Sequence, residues 1–359
     1  MDHMTRRTFV KLSAIAGGAA VLSGLAGCGN AVSDSSGESS SELRESAFSS
    51  ISAQAGAPKG ESSSATSQGV LSDVPPVYFT RALDSAGLQA VFAAIGQGLG
   101  SGRIGVKLSS GEPGGDHYLK ANLIGGLVHA VDGTIVECNT AYGGGRSTTE
   151  EHYQVAVDHG FTSIADFHIM DEAGSLSLPV EGGLHLSENL VGAAFPDYDG
   201  FLVLSHFKGH TMAGFGGALK NISIGMASRE GKLHIHSAGA SRTSWTSAAT
   251  SDFLESMADA SKAVLAAQPN MLFVNVMNNL SVDCDCDSNP APPKIADIGI
   301  LVSADPVALD QACVDLIYAS EDDSTDFIER MENRGGAHVL EAAESLGVGS
   351  RAYELVEIG

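Results

Sequence analysis

Apolar residues follow two spacings along the chain. Leu88, Val91, Phe92, Ile95 and Leu99 recur at three- and four-residue intervals, which predicts a helix over 84–99. Residues 103–110, RIGVKLSS, alternate instead and predict a strand. Further on, the pattern predicts a helix over 116–131, a strand over 134–138, and a helix over 148–159 with acidic residues in its first turn. Short buried strands follow at 167–170 and 201–205, then a helix over 216–226 opened by a Gly-rich loop. A helix at 253–267, a strand at 271–277 (MLFVNVM), a strand at 298–302 and a helix from Asp305-Pro306 to Ile317 come next. Two helices and a strand at 353–358 close the chain. Strands alternating with helices predict a layered α/β fold, its largely parallel sheet flanked by helices, with room for two lobes.

Composition agrees. Hydrophobic residues make up 43% of the 359, enough for a sizeable core, and 43 glycines with few aromatics suit an α/β fold with many tight turns. The formal charge of -23 argues against nucleic acid as a partner, since phosphate binding needs a basic surface.

The N-terminus reads as an address. Residues 5–11, TRRTFVK, resemble a twin-arginine export signal, and the apolar stretch from Leu12 to Ala26 is too short and too rich in Gly and Ala to span a bilayer well. Leu25-Ala26-Gly27-Cys28 resembles a lipobox, which makes Cys28 the lipidated first residue of the mature chain. Residues 1–27 are therefore expected to be a signal peptide read by the twin-arginine machinery. The mature protein is expected outside the cytoplasm, held to the cell membrane by lipid on Cys28. Fifteen serines in residues 33–72 mark 28–75 as a flexible tether, leaving 76–359 as the folded domain. The twin-arginine route carries folded proteins, so it favours a cofactor loaded before export.

Chemistry concentrates in two stretches. Residues 205–221, SHFKGHTMAGFGGALKN, follow a predicted strand, where α/β proteins place ligand sites. His206 and His210 are candidates for one ligand. Gly214, Gly216 and Gly217 let backbone N–H groups approach an anion, and Lys208 and Lys220 supply charge. The segment is neither a Walker loop nor a dinucleotide fingerprint. His234-Ile235-His236 comes soon after; in an extended segment its imidazoles point to opposite faces, so at most one joins the site. Cys284 and Cys286, in SVDCDCD, are either soft metal ligands, a disulfide or buried thiols. With His206, His210 and His236 they form the candidate metal set. Arg146 either binds a carboxylate or phosphate or is an ordinary turn residue, and Lys107 is either an inward cation or a snorkelling edge residue.

From Val77 almost to the C-terminus, the segments VKLSSGEPGGDHYLKANLI, VECNTAYGGGRSTTEEH, LSHFKGHTMAGFGGALKNISIGMASREGKLHIHS, VDCDC and DIGILVSADPVALDQACVDL resemble the family named domain of unknown function 362. Many of its members carry a ferredoxin-like insert just after the segment matching His234 to Ser237. Here that region, AGASRTSWTSAATSDF, has no cysteine, so ferredoxin-type four-iron clusters are not expected. A second resemblance concerns mechanism. Gly-Gly-x-x-Lys followed sixteen residues later by His236 resembles the cofactor-holding segment of the nickel-pincer 2-hydroxy-acid racemases, which implies Lys220 as a covalent tether and His236 as a metal ligand. These features suggest an enzyme with a transition metal or metal-containing cofactor, redox or racemase-like, acting on a small anionic molecule. The alternative is a non-catalytic lipoprotein that captures a metal or small anion for a partner.

Overall fold

In the computed structural model, which describes residues 74–359, one eight-stranded sheet organises the chain. The expected export signal, the lipidated Cys28 and nearly all of the serine-rich tether lie outside the described residues. Among those described, no helix is long and apolar enough to cross a membrane.

Strand β1 (Pro76–Thr80) leads into α1 (Ser85–Ala94), whose first turn is capped by the Asp84 carboxylate accepting the Gly87 N–H. Strands β2 (Ile104–Lys107), β3 (Gly133–Glu137) and β4 (Phe167–Ile169) alternate with α2 (Ala121–Ala130) and α3 (Thr149–Asp158). A hairpin of β5 (Ser175–Pro179) and β6 (Glu188–Gly192) forms its own two-stranded sheet. The long β7 (Gly200–His206) follows, then a small hairpin of β8 (Lys208–His210) and β9 (Gly214–Gly216). Helical residues 218–225, α4 (Arg229–His236) and α5 (Thr250–Ala267) precede β10 (Met271–Met277) and β11 (Gly299–Ser303). Helices α6 (Pro306–Tyr318), α7 (Thr325–Asn333) and α8 (His338–Ser345) lead to β12 (Glu354–Glu357).

The sheet order is β12-β1-β11-β10-β7-β2-β3-β4. Strands β10, β7, β2, β3 and β4 are parallel, and only β11 runs against its neighbours. This is the expected layered α/β fold. All seven residues of β10 are buried because both faces of the sheet are covered. One face packs Leu202, Leu204 and Val274 against Leu88, Ile124 and Leu127 of α1 and α2. The other packs Phe201, Val203 and Phe273 against Phe253 of α5 and Val307 of α6. The described residues show no division into lobes. The chain leaves β2 towards one edge and later returns with β7 on the other side of β2. The carboxyl ends of β2 and β7 therefore flank a crevice of the kind that binds ligands in such sheets.

Several elements differ from the sequence pattern for physical reasons. Helix α1 ends at Ala94 because Gly96 and Gly100 take left-handed φ values of 68° and 71°. Helix α2 starts only at Ala121. The preceding loop spends its backbone groups elsewhere: Glu112 N–H donates to Asp285 O at 3.1 Å, and His117 O accepts from Lys208 Nζ at 2.7 Å. Residues 218–225 are helical as expected but widen into a π-turn over Asn221–Gly225. His234 and His236 lie on a helix, not an extended segment, because Ser228 caps α4 by accepting the Gly231 N–H. Two residues apart on a helix they still diverge, by about 200°. Strand β1 and the two small hairpins were not anticipated.

Candidate active site

The carboxyl ends of β2, β3 and β7 deliver Lys107, Glu137 and His206 to one region. Asn221 sits in the crevice itself. Its amide donates to Lys107 O at 3.3 Å, Leu204 O at 3.1 Å and Ser205 Oγ at 3.0 Å, joining β2 to β7. That anchor places the preceding residue, Lys220, over the strand ends.

Lys220 is half-buried, and its amine makes no hydrogen bond or ion pair among the described residues. Burial, reinforced by the charges of Arg146 and Lys107, lowers its pKa to about 8. Gly216 matters here, because a Cβ there would stand 3.2 Å from Lys220 Cδ. His236 is buried between Trp245 and Phe253, each ring centroid 4.7 Å away. Burial and the nearby Lys220 and Lys232 ammonium groups lower its pKa to about 4, so the imidazole is neutral. Its Nδ1–H donates to Lys232 O at 2.7 Å, which leaves the Nε2 lone pair free. These two residues fit a tethered, metal-containing group: a reactive amine and a neutral imidazole with a fixed tautomer.

The other predicted ligands are placed differently. His210 is buried and neutral, held far below its ordinary pKa by desolvation and by Lys220 and His236. Its Nδ1 accepts the N–H groups of Met212 and Ala213 at 3.2 and 3.0 Å, so Nε2 carries the proton. A ring nitrogen of His210 lies within 4.8 Å of both Cys284 and Cys286 sulfurs. Those cysteines are joined to each other as a disulfide, so neither offers a thiolate to a metal. His206 turns Nδ1 to Asp285 Oδ2 at 3.0 Å and Nε2 to Asn278 O at 2.8 Å, so both ring nitrogens already face protein oxygens. Of the five, His236 presents a free ring lone pair, and His210, Cys284 and Cys286 are brought together.

The anion-binding candidates are also largely engaged. The N–H groups of Ala218 and Leu219, behind the Gly-rich loop, donate to the buried Asp310 carboxylate at 2.7 and 2.9 Å. Gly217 makes that possible, since a Cβ there would sit 2.3 Å from Asp310 Oδ1. Gly214, with φ of 80°, turns the β8–β9 hairpin against α7. Neither cradles an external anion. Lys208 is buried in an ion pair with Asp285 at 2.9 Å. Arg146 is buried, not a surface turn residue, and grips Glu112 with two donors at 2.7 and 3.0 Å. Lys107 points inward, 3.7 Å from Glu137.

Pattern reading missed Glu137, Lys232, Asp285 and Asp310. Glu137 carried a signal, an acid at the end of an otherwise apolar strand; Lys232 and Asp310 sit in ordinary helical patterns. Buried cations Lys107, Arg146, Lys208 and Lys232, with Lys220, outnumber the carboxylates Glu112, Glu137 and Asp285 that meet them.

Asp310 supports the whole arrangement. Besides the two N–H groups it accepts the Asn275 amide at 2.7 Å. Its replacement by alanine strands three buried donors and is expected to cost about 2–4 kcal/mol in denaturant unfolding. Burial raises its carboxyl from 3.8 to about 6 despite those bonds. A raised acid adds stability when protonated. Wild type, but not Asp310→Asn, should therefore gain stability as pH falls from about 6 towards 4.

The family described as a domain of unknown function, DUF362, matches residues 104–315, more than half the chain. The chain belongs to the DUF362 family. No curated protein matches it. Among solved structures, this DUF362 protein is similar to the lactate racemase apoprotein from Thermoanaerobacterium thermosaccharolyticum, with 12% identity, a TM-score of 0.41, and coverage of 68% of this chain and 57% of that one. A Thermotoga maritima protein is 15% identical with a TM-score of 0.33, covering 69% and 56%. The DUF362 protein therefore spans a little over half the length of each. The matched family segment contains Lys107, Arg146, Lys220 and His236.

Proposed function

We propose that this protein is an enzyme that holds a metal-containing cofactor through Lys220 and His236 and acts on a small anionic organic molecule by redox or racemase-like chemistry. One observation carries the proposal: an amine with no partner and a pKa of about 8 lies in the same electrostatic neighbourhood as two neutral imidazoles. A structural lysine would have a carboxylate or carbonyl beside it. Lys220 tethers the group by its amine, and His236 offers Nε2 to the metal. The surplus positive charge around Lys107, Arg146 and Lys232 holds the substrate anion and disfavours a second cation. His210, protonated at Nε2, supplies a hydrogen-bond donor at the same place. The bound group supplies the electron-accepting centre that amines and imidazoles lack. Export by the twin-arginine route and a lipid on Cys28 put this chemistry at the outer face of the cell membrane.

Intact mass and elemental analysis of protein folded in cells test the proposal together. The expected result is a covalent increment on Lys220 with stoichiometric metal. Lys220→Ala loses both, and His236→Ala keeps the increment but loses metal. An unmodified mass with no metal sinks the proposal. Reversible metal uptake without an increment favours the non-catalytic binder.

A further inference from the structure

We propose a second metal site, formed by His185, Asp252 and Glu255, that takes a zinc-type divalent cation and shares no residue with the Lys220 site. Glu255, on α5, is approached from both sides: His185 Nε2 lies 2.5 Å from Oε2, and His338 Nε2 lies 2.9 Å from Oε1. Asp252 stands one turn earlier on the same helix, and donor atoms of His185, Asp252 and Glu255 lie within 4.8 Å of one another. One imidazole and two carboxylates are a borderline-metal donor set with a position left for water, and the two negative charges balance a divalent ion.

The donors are held in place. The buried Asp259 carboxylate accepts the N–H groups of Leu184, His185 and Leu186 at 2.7, 2.7 and 2.8 Å, fixing the loop that carries His185. On His338 the other ring nitrogen, Nδ1, faces Glu341 Oε2 at 3.4 Å, and Arg351 steadies the second oxygen of Glu341. His338 thereby orients the Glu255 carboxylate from outside the ligand set. The site is partly exposed, which gives an ion a way in. Occupied, it would tie the 181–187 loop to α5.

Zinc titration by calorimetry, with Co²⁺ absorption reporting coordination geometry, tests this on the described domain within the full chain. Wild type should take up one zinc equivalent that His185→Ala and Asp252→Ala both lose. His338→Ala, which removes the partner that orients Glu255, should weaken it by about 10- to 100-fold. Lys220→Ala and His236→Ala should retain it, which separates this site from the proposed active site. Absence of zinc uptake by wild type, or unchanged affinity in the His185→Ala/Asp252→Ala double variant, overturns the proposal.

Discussion

Lys220→Met is expected to yield a folded protein, slightly more stable at neutral pH than wild type with an unmodified Lys220, unable to gain the covalent increment proposed for that amine and, on the proposed function, down at least about 10³-fold in activity. The two effects share one cause. The fold lowers the Lys220 amine from 10.5 to about 8, so it disfavours the charged form. At about 1.4 kcal/mol per decade, that penalty is at most about 3 kcal/mol, and partial exposure reduces it to about 1–2. Methionine fills the same space with no charge to desolvate. The sign across pH is fixed. Below about 8 the ammonium form is charged in both folded and unfolded chains, and wild type bears the full penalty. Between about 8 and 10.5 the folded chain has released the proton and the unfolded chain has not, so wild-type stability rises and the gap to Lys220→Met closes. Lys220→Arg should be the informative contrast, because it keeps the charge, cannot form an amine adduct, and gains no stability. Amine-directed labelling of protein unmodified at Lys220, with peptide mass mapping, checks the premise, with Lys220 reacting half-maximally near pH 8. A Lys220 profile matching that of exposed lysines would remove the basis for its role.

What the sequence discloses and what it hides divide along a physical line. The strands that pack on both faces, such as β10, announce themselves as apolar runs, and the parallel order follows from their alternation with helices. Lys220 and His236 stand out because amines and imidazoles crowd a Gly-rich stretch. Their relation to the rest is invisible along the chain. The Asp310 carboxylate that occupies the N–H groups behind that stretch lies about ninety positions away, on a helix whose own pattern looks ordinary. The histidines at 206 and 210 look like ligands by composition. Only the placement of Asp285, Asn278 and two backbone N–H groups shows that their ring nitrogens are already engaged by the protein. Spacing also cannot distinguish a helix from a strand for so short a run as His234-Ile235-His236, where one capping serine decides.

Glu137→Gln is expected to be the most destabilising single change near the site, at about 3–5 kcal/mol, a large share of a typical domain's stability. Glu137 Oε1 accepts the Ser110 N–H at 2.5 Å and faces His152 Nε2 at 3.4 Å and Arg146 at 3.9 Å; Oε2 faces Lys107 at 3.7 Å. Burial by itself would push this carboxyl up, but Lys107, His152 and Arg146 together hold it well below the usual carboxylate range. Glutamine retains an acceptor for Ser110 and removes the charge, leaving the buried Lys107 ammonium with no carboxylate. For a depressed acid the stabilisation is fully present above its unfolded pKa of about 4.5 and is lost as pH falls below it. The gap between wild type and Glu137→Gln should thus be flat from pH 8 to about 5 and narrow only in stronger acid, as read by denaturant melts. Lys107→Met combined with Glu137→Gln supplies the decisive measurement. Removing both charges leaves no orphaned ion, so the double variant should recover much of the loss, with a coupling of about 1–3 kcal/mol in a double-mutant cycle. Strict additivity of the two single changes would mean that the pair does not act as a unit, and that Lys107 finds its counter-charge elsewhere.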